Sequence, residues 1–244
     1  MSNVASGNSI ASVAALIGDV ARANILSALM GGLALTAGEL AQFAGVTAQT
    51  TSGHLARLTD AGLIAMARQG RHRYYRLATP EIAQAMQALM AIAADGPKRH
   101  HPIGPRDKAL RLARTCYDHL AGRLALALVD GWSAQGYVIL ADGAGLVTDE
   151  GRQFLGDFGI DLDAAPRSRH RPLCRTCLDW SERRPHLAGQ LGAAVLGRLL
   201  ELGWIARLPD TRALRITRTG EQGFVAQLHL AADWMERSAA APGS

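Results

Sequence analysis

From residue 9 onward, apolar side chains recur with the three-to-four-residue period of helices, and around residues 63 to 77 the period shortens to that of strands. Residues 9–17 and 19–30 read as two helices, the second opened by Asp19 as N-cap and closed by Gly31 and Gly32. In LTAGELAQFAG, Thr36 and Glu39 have the spacing of a capping box, which predicts a short helix over 37–43. Gly45 and Val46 make a tight corner, and Thr47 caps the helix of TAQTTSGHLARLTDAGLI, residues 47–64. The runs LIAMAR and RYYRL then flank Gln69, Gly70, Arg71 and His72, the pattern of a hairpin with a basic tip. Thr79 and Pro80 open a further helix that runs through Met86, Leu89 and Met90 to about Ala94.

Residues 95–106, DGPKRHHPIGPR, break every period, so the expected division is a domain over 1–95, a linker over 96–106 and a second domain over 107–244. Beyond it the pattern predicts one long amphipathic helix over 107–131, an extended YVILAD, a helix over 148–158, and an Arg- and Pro-rich stretch, PRSRHRPLCRTCLDWSERRP. A helix, a hairpin and a helix follow. LARLTDAGLI (55–64) aligns without gaps to LGRLLELGWI (196–205), and each precedes a hairpin and a helix. This is either a chance match of Leu-rich helices or a degenerate second winged unit. The expected fold class is mainly α with small β-hairpin wings: an N-terminal winged helix-turn-helix and a C-terminal helical domain ending in that degenerate unit.

The helix after Thr47 is loaded with Thr, Gln, Ser and Gly, which are weak helix formers. Such residues suit a helix lying in a DNA major groove, where outward side chains must be small enough to approach and polar enough to bond base edges. Helical spacing puts Thr50, His54 and Arg57 on one face with Gln49 beside them. The residues expected to contact DNA are Thr47, Gln49, Thr50, Thr51, His54 and Arg57 on the helix and Arg68, Gln69, Arg71, His72 and Arg73 on the wing. Gln49 suits adenine, and Arg57 suits phosphate. In the later copy the equivalent stretch is AGQLGAAV, which offers almost nothing to a base.

On LIGDVARANILSALM, LTAGELAQFAGVTAQTTSGHLARLTDAGLI and ARQGRHRYYRLA, residues 9–95 resemble the ArsR/SmtB family of winged-helix transcriptional repressors. The resemblance implies a homodimer built on the first and last helices of the domain, bound to a palindromic operator in double-stranded DNA. Metal-sensing members of that family carry a Cys motif on the third helix or paired His and acidic ligands on the last. Here those places read AGELAQFAG and PEIAQAMQALMAIAAD, so neither usual site is present.

Composition sharpens the picture. Of the 26 basic residues 24 are Arg, and the net charge is +5, which favours a polyanionic partner. The 3 Cys are too few for a secreted disulfide framework, and no run has the length of a membrane span, which points to a cytoplasmic protein. No paired carboxylates, Ser-His-Asp spacing or Gly-rich phosphate loop supports catalysis, so a non-enzymatic regulator is expected. Cys174 and Cys177 form CRTC among several Arg, and Cys116 supplies a third sulfur if the chain folds back. Three thiolates suit a thiophilic metal ion, while Cys174 and Cys177 with His170 and His186 suit zinc. The inducer is thus open between metal, redox and organic signals, and the alternative reading is a thiol-redox or metal-binding enzyme that uses CRTC.

Overall fold

The computed structural model describes residues 6–70, 72–95, 105–141, 144–162 and 172–236. It divides into two compact units, 1–86 and 87–244. The first contains α1 (Gly7–Ile17), α2 (Val20–Leu29), β1 (Leu35–Thr36), α3 (Ala37–Ala44), α4 (Ala48–Asp60), β2 (Ile64–Gln69) and β3 (His72–Leu77). The helix α5 (Pro80–Asp95) begins in the first unit and ends in the second. The caps predicted at Asp19, Thr36 and Thr47 form: Asp19 accepts from the Arg22 amide, Thr36 and Glu39 make the reciprocal capping box, and Thr47 accepts from the Thr50 amide. Gly45 ends α3 at φ 68°, which sets the sharp corner into α4.

The wing is an antiparallel sheet of order β1-β3-β2, with Gln69 opposite His72 at its tip and Leu35 of β1 opposite Tyr75. Ile25, Leu29, Leu40, Leu55, Leu58 and Leu77 fill the core beneath it. Arg22 is buried too, and its guanidinium donates to the Ala15 and Leu16 carbonyls at the end of α1, where the helix has no amides left to satisfy them.

In the second unit the long helix expected over 107–131 is broken. It is α6 (Pro105–Leu112), then a hairpin of β4 (Arg114–Cys116) and β5 (His119–Ala121), then α7 (Arg123–Ala134). The apolar spacing is helical, but Thr115 donates its amide to Arg212, and Ala113 accepts from the Leu214 amide, so tertiary pairing takes the backbone bonds a helix would have used. Tyr117 at φ 59° turns the hairpin, and Gly122 at φ 88° leaves it. A side chain at Gly122 would meet the Arg111 carbonyl oxygen at 2.7 Å, so only glycine fits there.

The chain continues through β6 (Val138–Ala141), β7 (Ala144–Val147) and α8 (Asp149–Asp157). The end of the Arg- and Pro-rich stretch enters a hairpin of β8 (Arg175–Leu178) and β9 (Pro185–Ala188), followed by α9 (Gly189–Glu201), β10 (Ile205–Arg207), β11 (Leu214–Ile216) and α10 (Arg218–Leu228). The helix, hairpin and helix expected at the end are therefore present.

The unit is built twice over. Arg-Thr-Cys recurs at 114–116 and 175–177, and His-Leu-Ala-Gly at 119–122 and 186–189. Each His-Leu-Ala-Gly leads into a helix, a short hairpin and another helix. Thr148 and Thr217 cap the last helix of each copy in the same way, accepting from the Gly151 and Gly220 amides and donating to carbonyls of the preceding turn. The copies exchange their edges: Arg175 of the later copy pairs with Ala144 of the earlier, and Arg114 of the earlier bridges to Ala213 of the later. The edge strand of each is thus covered by the other.

Between the copies lies a buried ion pair. Arg114, 1% exposed, places Nη2 2.8 Å from Asp179 Oδ2, stacks over Trp180 and donates to the Leu110 carbonyl and the Ser181 hydroxyl. Asp179 also accepts from the Gly122 amide of the other copy. Burial pushes the Asp179 carboxyl up, but Arg114 and His186 beside it outweigh this and hold it at about 2. Asp179→Asn leaves Arg114 buried without a counter-charge, and urea unfolding of the full chain should show a loss of about 3–5 kcal/mol. An unchanged midpoint would mean that the pair does not join the copies.

Candidate functional site

On α4, Thr47, Gln49, Thr50 and Arg57 are exposed, as are Arg68, Gln69, His72 and Arg73 on the wing. The Thr47 and Thr50 hydroxyls lie 2.9 Å apart at the start of the helix, and Arg68 Nε donates to the Gly70 carbonyl, which steadies the wing tip. Ser52 and Gly53 complete an outward surface of small side chains, and no heavy atom comes within 4 Å of where a side chain at Gly53 would begin. Arg71 lies outside the described residues.

Two helix residues expected on this surface are placed differently. Thr51 is 0% exposed; its hydroxyl donates to the Thr47 carbonyl and its methyl group faces the interior, because it follows the inward spacing of Leu55 and Leu58. Thr51 is therefore a packing residue and not a contact. The side chain of His54 is only 14% exposed and turns its Nδ1 to within 3.8 Å of the Asp19 carboxylate at the start of α2.

The second unit holds a different arrangement. Cys116 at the end of β4, His119 at the start of β5, Cys177 on β8 and His186 on β9 bring one ligand-competent atom each to within 4.8 Å of one another, all four buried. The two imidazoles face each other, Nε2 to Nε2 at 3.1 Å. Behind them, His119 Nδ1 lies 3.2 Å from Asp118 Oδ1 and His186 Nδ1 3.8 Å from Asp179 Oδ2. Gln87 of α5 turns its carbonyl oxygen to both sulfurs, 3.5 Å from Cys116 Sγ and 2.6 Å from Cys177 Sγ, while its amide donates to the Leu178 carbonyl.

The cluster shares its protons. The hydrogen bond from Cys177, helped by both histidines, draws the Cys116 thiol well below its ordinary value, and the same bond together with burial holds Cys177 well above. Burial pushes the His119 imidazole down, but the Asp118 carboxylate and Cys116 outweigh it and raise it; for His186, burial prevails and lowers it. Two cysteine sulfurs and two imidazoles in one dry pocket form a donor set suited to a soft cation.

Cys174, expected beside Cys177, is not part of this group. Its Sγ fills the space a side chain at Gly145 would need, within the apolar core, and burial alone raises its thiol to about 11. Cys174 lies in the bend before β8, whereas Cys177 is on the strand itself, so the two sulfurs are carried by different local backbone. The CRTC motif is therefore not a working pair. His170 lies outside the described residues. Cys116, Cys177 and His186 are legible in the sequence, whereas the helical spacing of residues 107–131 hides His119. The repeated His-Leu-Ala-Gly was the available signal.

The first unit is thus a winged helix-turn-helix of the kind that binds DNA, and comparison with known proteins agrees. A helix-turn-helix domain family, HTH_20, matches residues 17–67. The chain is similar to the uncharacterized HTH-type transcriptional regulator YdfF of Bacillus subtilis (strain 168), at 42% identity over 221 residues, covering 91% of this chain and 97% of that one. Among solved structures it is similar to a predicted DNA-binding transcriptional regulator from E. coli, at 29% identity, covering 35% of this chain and 90% of that one with TM-score 0.33. It is also similar to the homodimeric winged helix-turn-helix domain of Mb0332 from Mycobacterium bovis, at 24% identity, covering 42% and 98% with TM-score 0.35. The chain belongs to the HTH-type transcriptional regulators.

Close packing of α9 on β5 keeps the cluster together. A side chain at Gly192 would meet the Leu187 carbonyl oxygen at 2.7 Å and His119 Cβ at 3.0 Å. Gly192→Ala should therefore destabilise the full chain by about 1–3 kcal/mol in chemical unfolding, the usual cost of overpacking. A neutral or stabilising result would show that α9 can move away from His119 freely.

Proposed function

We propose that this regulator is a homodimeric repressor that holds a palindromic operator with α4 and the β2–β3 wing of each subunit and releases it when the second unit takes up a signal. The observation that carries this reading is the exposed surface of Gln49, Thr50, Ser52, Gly53 and Arg57 on α4, next to a wing whose tip carries Arg68, Gln69, His72 and Arg73. A recognition helix needs small polar residues at its N-terminal end and cations at its flanks, and this surface supplies both. Thr47 fits the edge of that contact, and Gln49 has the two-pronged amide that pairs with adenine. His54 serves by holding α4 to the start of α2, with base contact secondary. Arg71 belongs with the wing cations by sequence.

Dimerisation has its own support. The helix α1 buries none of its residues and exposes Ile10 and Val13, and α5 exposes Leu89 and Ile92. The homodimeric Mb0332 domain is a relative of this type. No single helix among the described residues is long and apolar enough to cross a membrane. On this reading the protein acts on DNA as a regulator, in keeping with thiols that are buried and a CRTC that does not present two of them together.

Binding should be tested on the full chain with an operator selected from random duplexes. Arg68→Ala and Arg73→Ala should weaken binding to every duplex alike and lower the slope of log affinity against log salt by about 1 each. Gln49→Ala should cost about 1–3 kcal/mol of discrimination at one base pair with little change in the salt slope. If both kinds of variant bind the operator as the parent does, this surface is not the reader. Light scattering should give a particle twice the chain mass of 25.9 kDa, and Ile10→Glu should shift it to the monomer. A parent already monomeric at micromolar concentration would overturn the dimer.

A further inference from the structure

We infer that Cys116, His119, Cys177 and His186 bind one tetrahedral, thiophilic divalent cation of the zinc class. The repeat is the first argument. Each copy of the second unit contributes one Cys from its Arg-Thr-Cys and one His from its His-Leu-Ala-Gly, and the exchange of edges brings the two contributions face to face. A duplicated fold has no packing reason to point two thiols and two imidazoles at a single spot in its own interior. An apolar crossing would be more stable, since each buried polar group costs free energy unless it is satisfied.

Geometry is the second argument. Zinc takes sulfur at about 2.3 Å and nitrogen at about 2.0–2.1 Å, which across a tetrahedron places ligand atoms about 3.3–3.8 Å apart. The 3.1 Å between the imidazole Nε2 atoms is within a few tenths of an ångström of that range, and the mutual spacing within 4.8 Å leaves at most about 1 Å to close. The outward nitrogens supply the third argument. Asp118 stands behind His119 and Asp179 near His186, whose Nδ1 has no hydrogen-bond partner among the described residues. A carboxylate behind a metal-binding imidazole fixes its tautomer and turns its other nitrogen to the ion.

Charge balance fits the burial. A divalent cation with two thiolates and two neutral imidazoles is uncharged as a whole, which a dry pocket tolerates. Four protein ligands leave no open position, so the site is closed and not hydrolytic. Ligation breaks the remaining S–H bonds, forms two metal–sulfur bonds and releases the displaced protons to solvent. Gln87 Oε1 then loses the donors it holds on both sulfurs, and its carboxamide must turn. Gln87 belongs to α5, so this change is made on the helix that begins in the DNA-binding unit. The regulatory part of the inference rests on the function proposed above; the metal site does not.

The test uses the full chain, stripped with chelator under reductant and titrated with Co(II), then Zn(II). The expected result is one Co(II) per chain with intense tetrahedral visible bands and a thiolate charge-transfer band, bleached by one equivalent of Zn(II). Cys116→Ser and Cys177→Ser should lower affinity by more than the roughly 10–100-fold that loss of an outer carboxylate costs, with Asp118→Asn falling in that range. Cys174→Ala should bind as the parent does. Should the serine variants not fold, His119→Cys keeps the proposal testable: it must retain a tetrahedral spectrum with a stronger charge-transfer band. An octahedral spectrum, no stoichiometric uptake, or loss on Cys174→Ala overturns the site. Operator affinity is then compared between stripped and Zn(II)-loaded protein, and a change of about 5–150-fold is expected for coupled sites. Metal bound with operator affinity unchanged would leave the site standing and overturn the sensing role.

Discussion

The crossing of the two copies in the second unit depends on one constraint: four titratable side chains and a guanidinium–carboxylate pair are held where water cannot reach them. Arg114 and Asp179 satisfy one another, and Asp179 also receives a backbone amide from the opposite copy. The thiols and imidazoles a few ångströms away satisfy one another only in part, by shared protons. Removing a single member leaves the remainder buried and unpaired, which is far more costly than never having buried them. The hairpins that carry these groups cannot drift apart without exposing them, so the chemistry and the fold constrain each other.

The two units use related means for different ends. In the first, a helix-turn-helix and wing keep their outer surface polar and thinly covered, and the core behind α4 is supplied by Leu55 and Leu58. In the second, the corresponding helix α9 carries Gly, Ala and Leu, and half of it is packed away against the hairpins. One architecture is open toward a large partner, and the other is closed around its own centre. α5 is the single element common to both units. Its first part buries Ala83 and Met86, and its later part delivers Gln87 to the sulfurs.

Much of the first unit could be read directly. The caps at Asp19, Thr36 and Thr47, the αL exit at Gly45 and the wing strands depend on residues a few positions apart, so local chemistry was enough. Thr51 was one exception, beside the half-covered His54. The hydroxyl of Thr51 suggested the outer surface, but its position one turn before Leu55 put it inside, and the buried oxygen was satisfied by the Thr47 carbonyl. In the second unit the periodicity misled. Leu120, Leu124 and Leu128 are spaced as on a helix, yet the first lies on a strand and the others on α7, because β4, which pairs with β5, is also bonded to Arg212 and Leu214 far along the chain.

The sequence by itself determined the winged helix, the small polar residues along α4 and the basic character of its wing, since these follow from helix period, capping and turn chemistry within short windows. It also held the doubled Arg-Thr-Cys and His-Leu-Ala-Gly, but as bare repetition without a meaning. Only the tertiary structure decided that His119 joins Cys116, Cys177 and His186 while Cys174 stays in the core. The physical reason is that side-chain direction on a strand alternates residue by residue, and which side becomes the shared interior is set by the distant strands that pair with it.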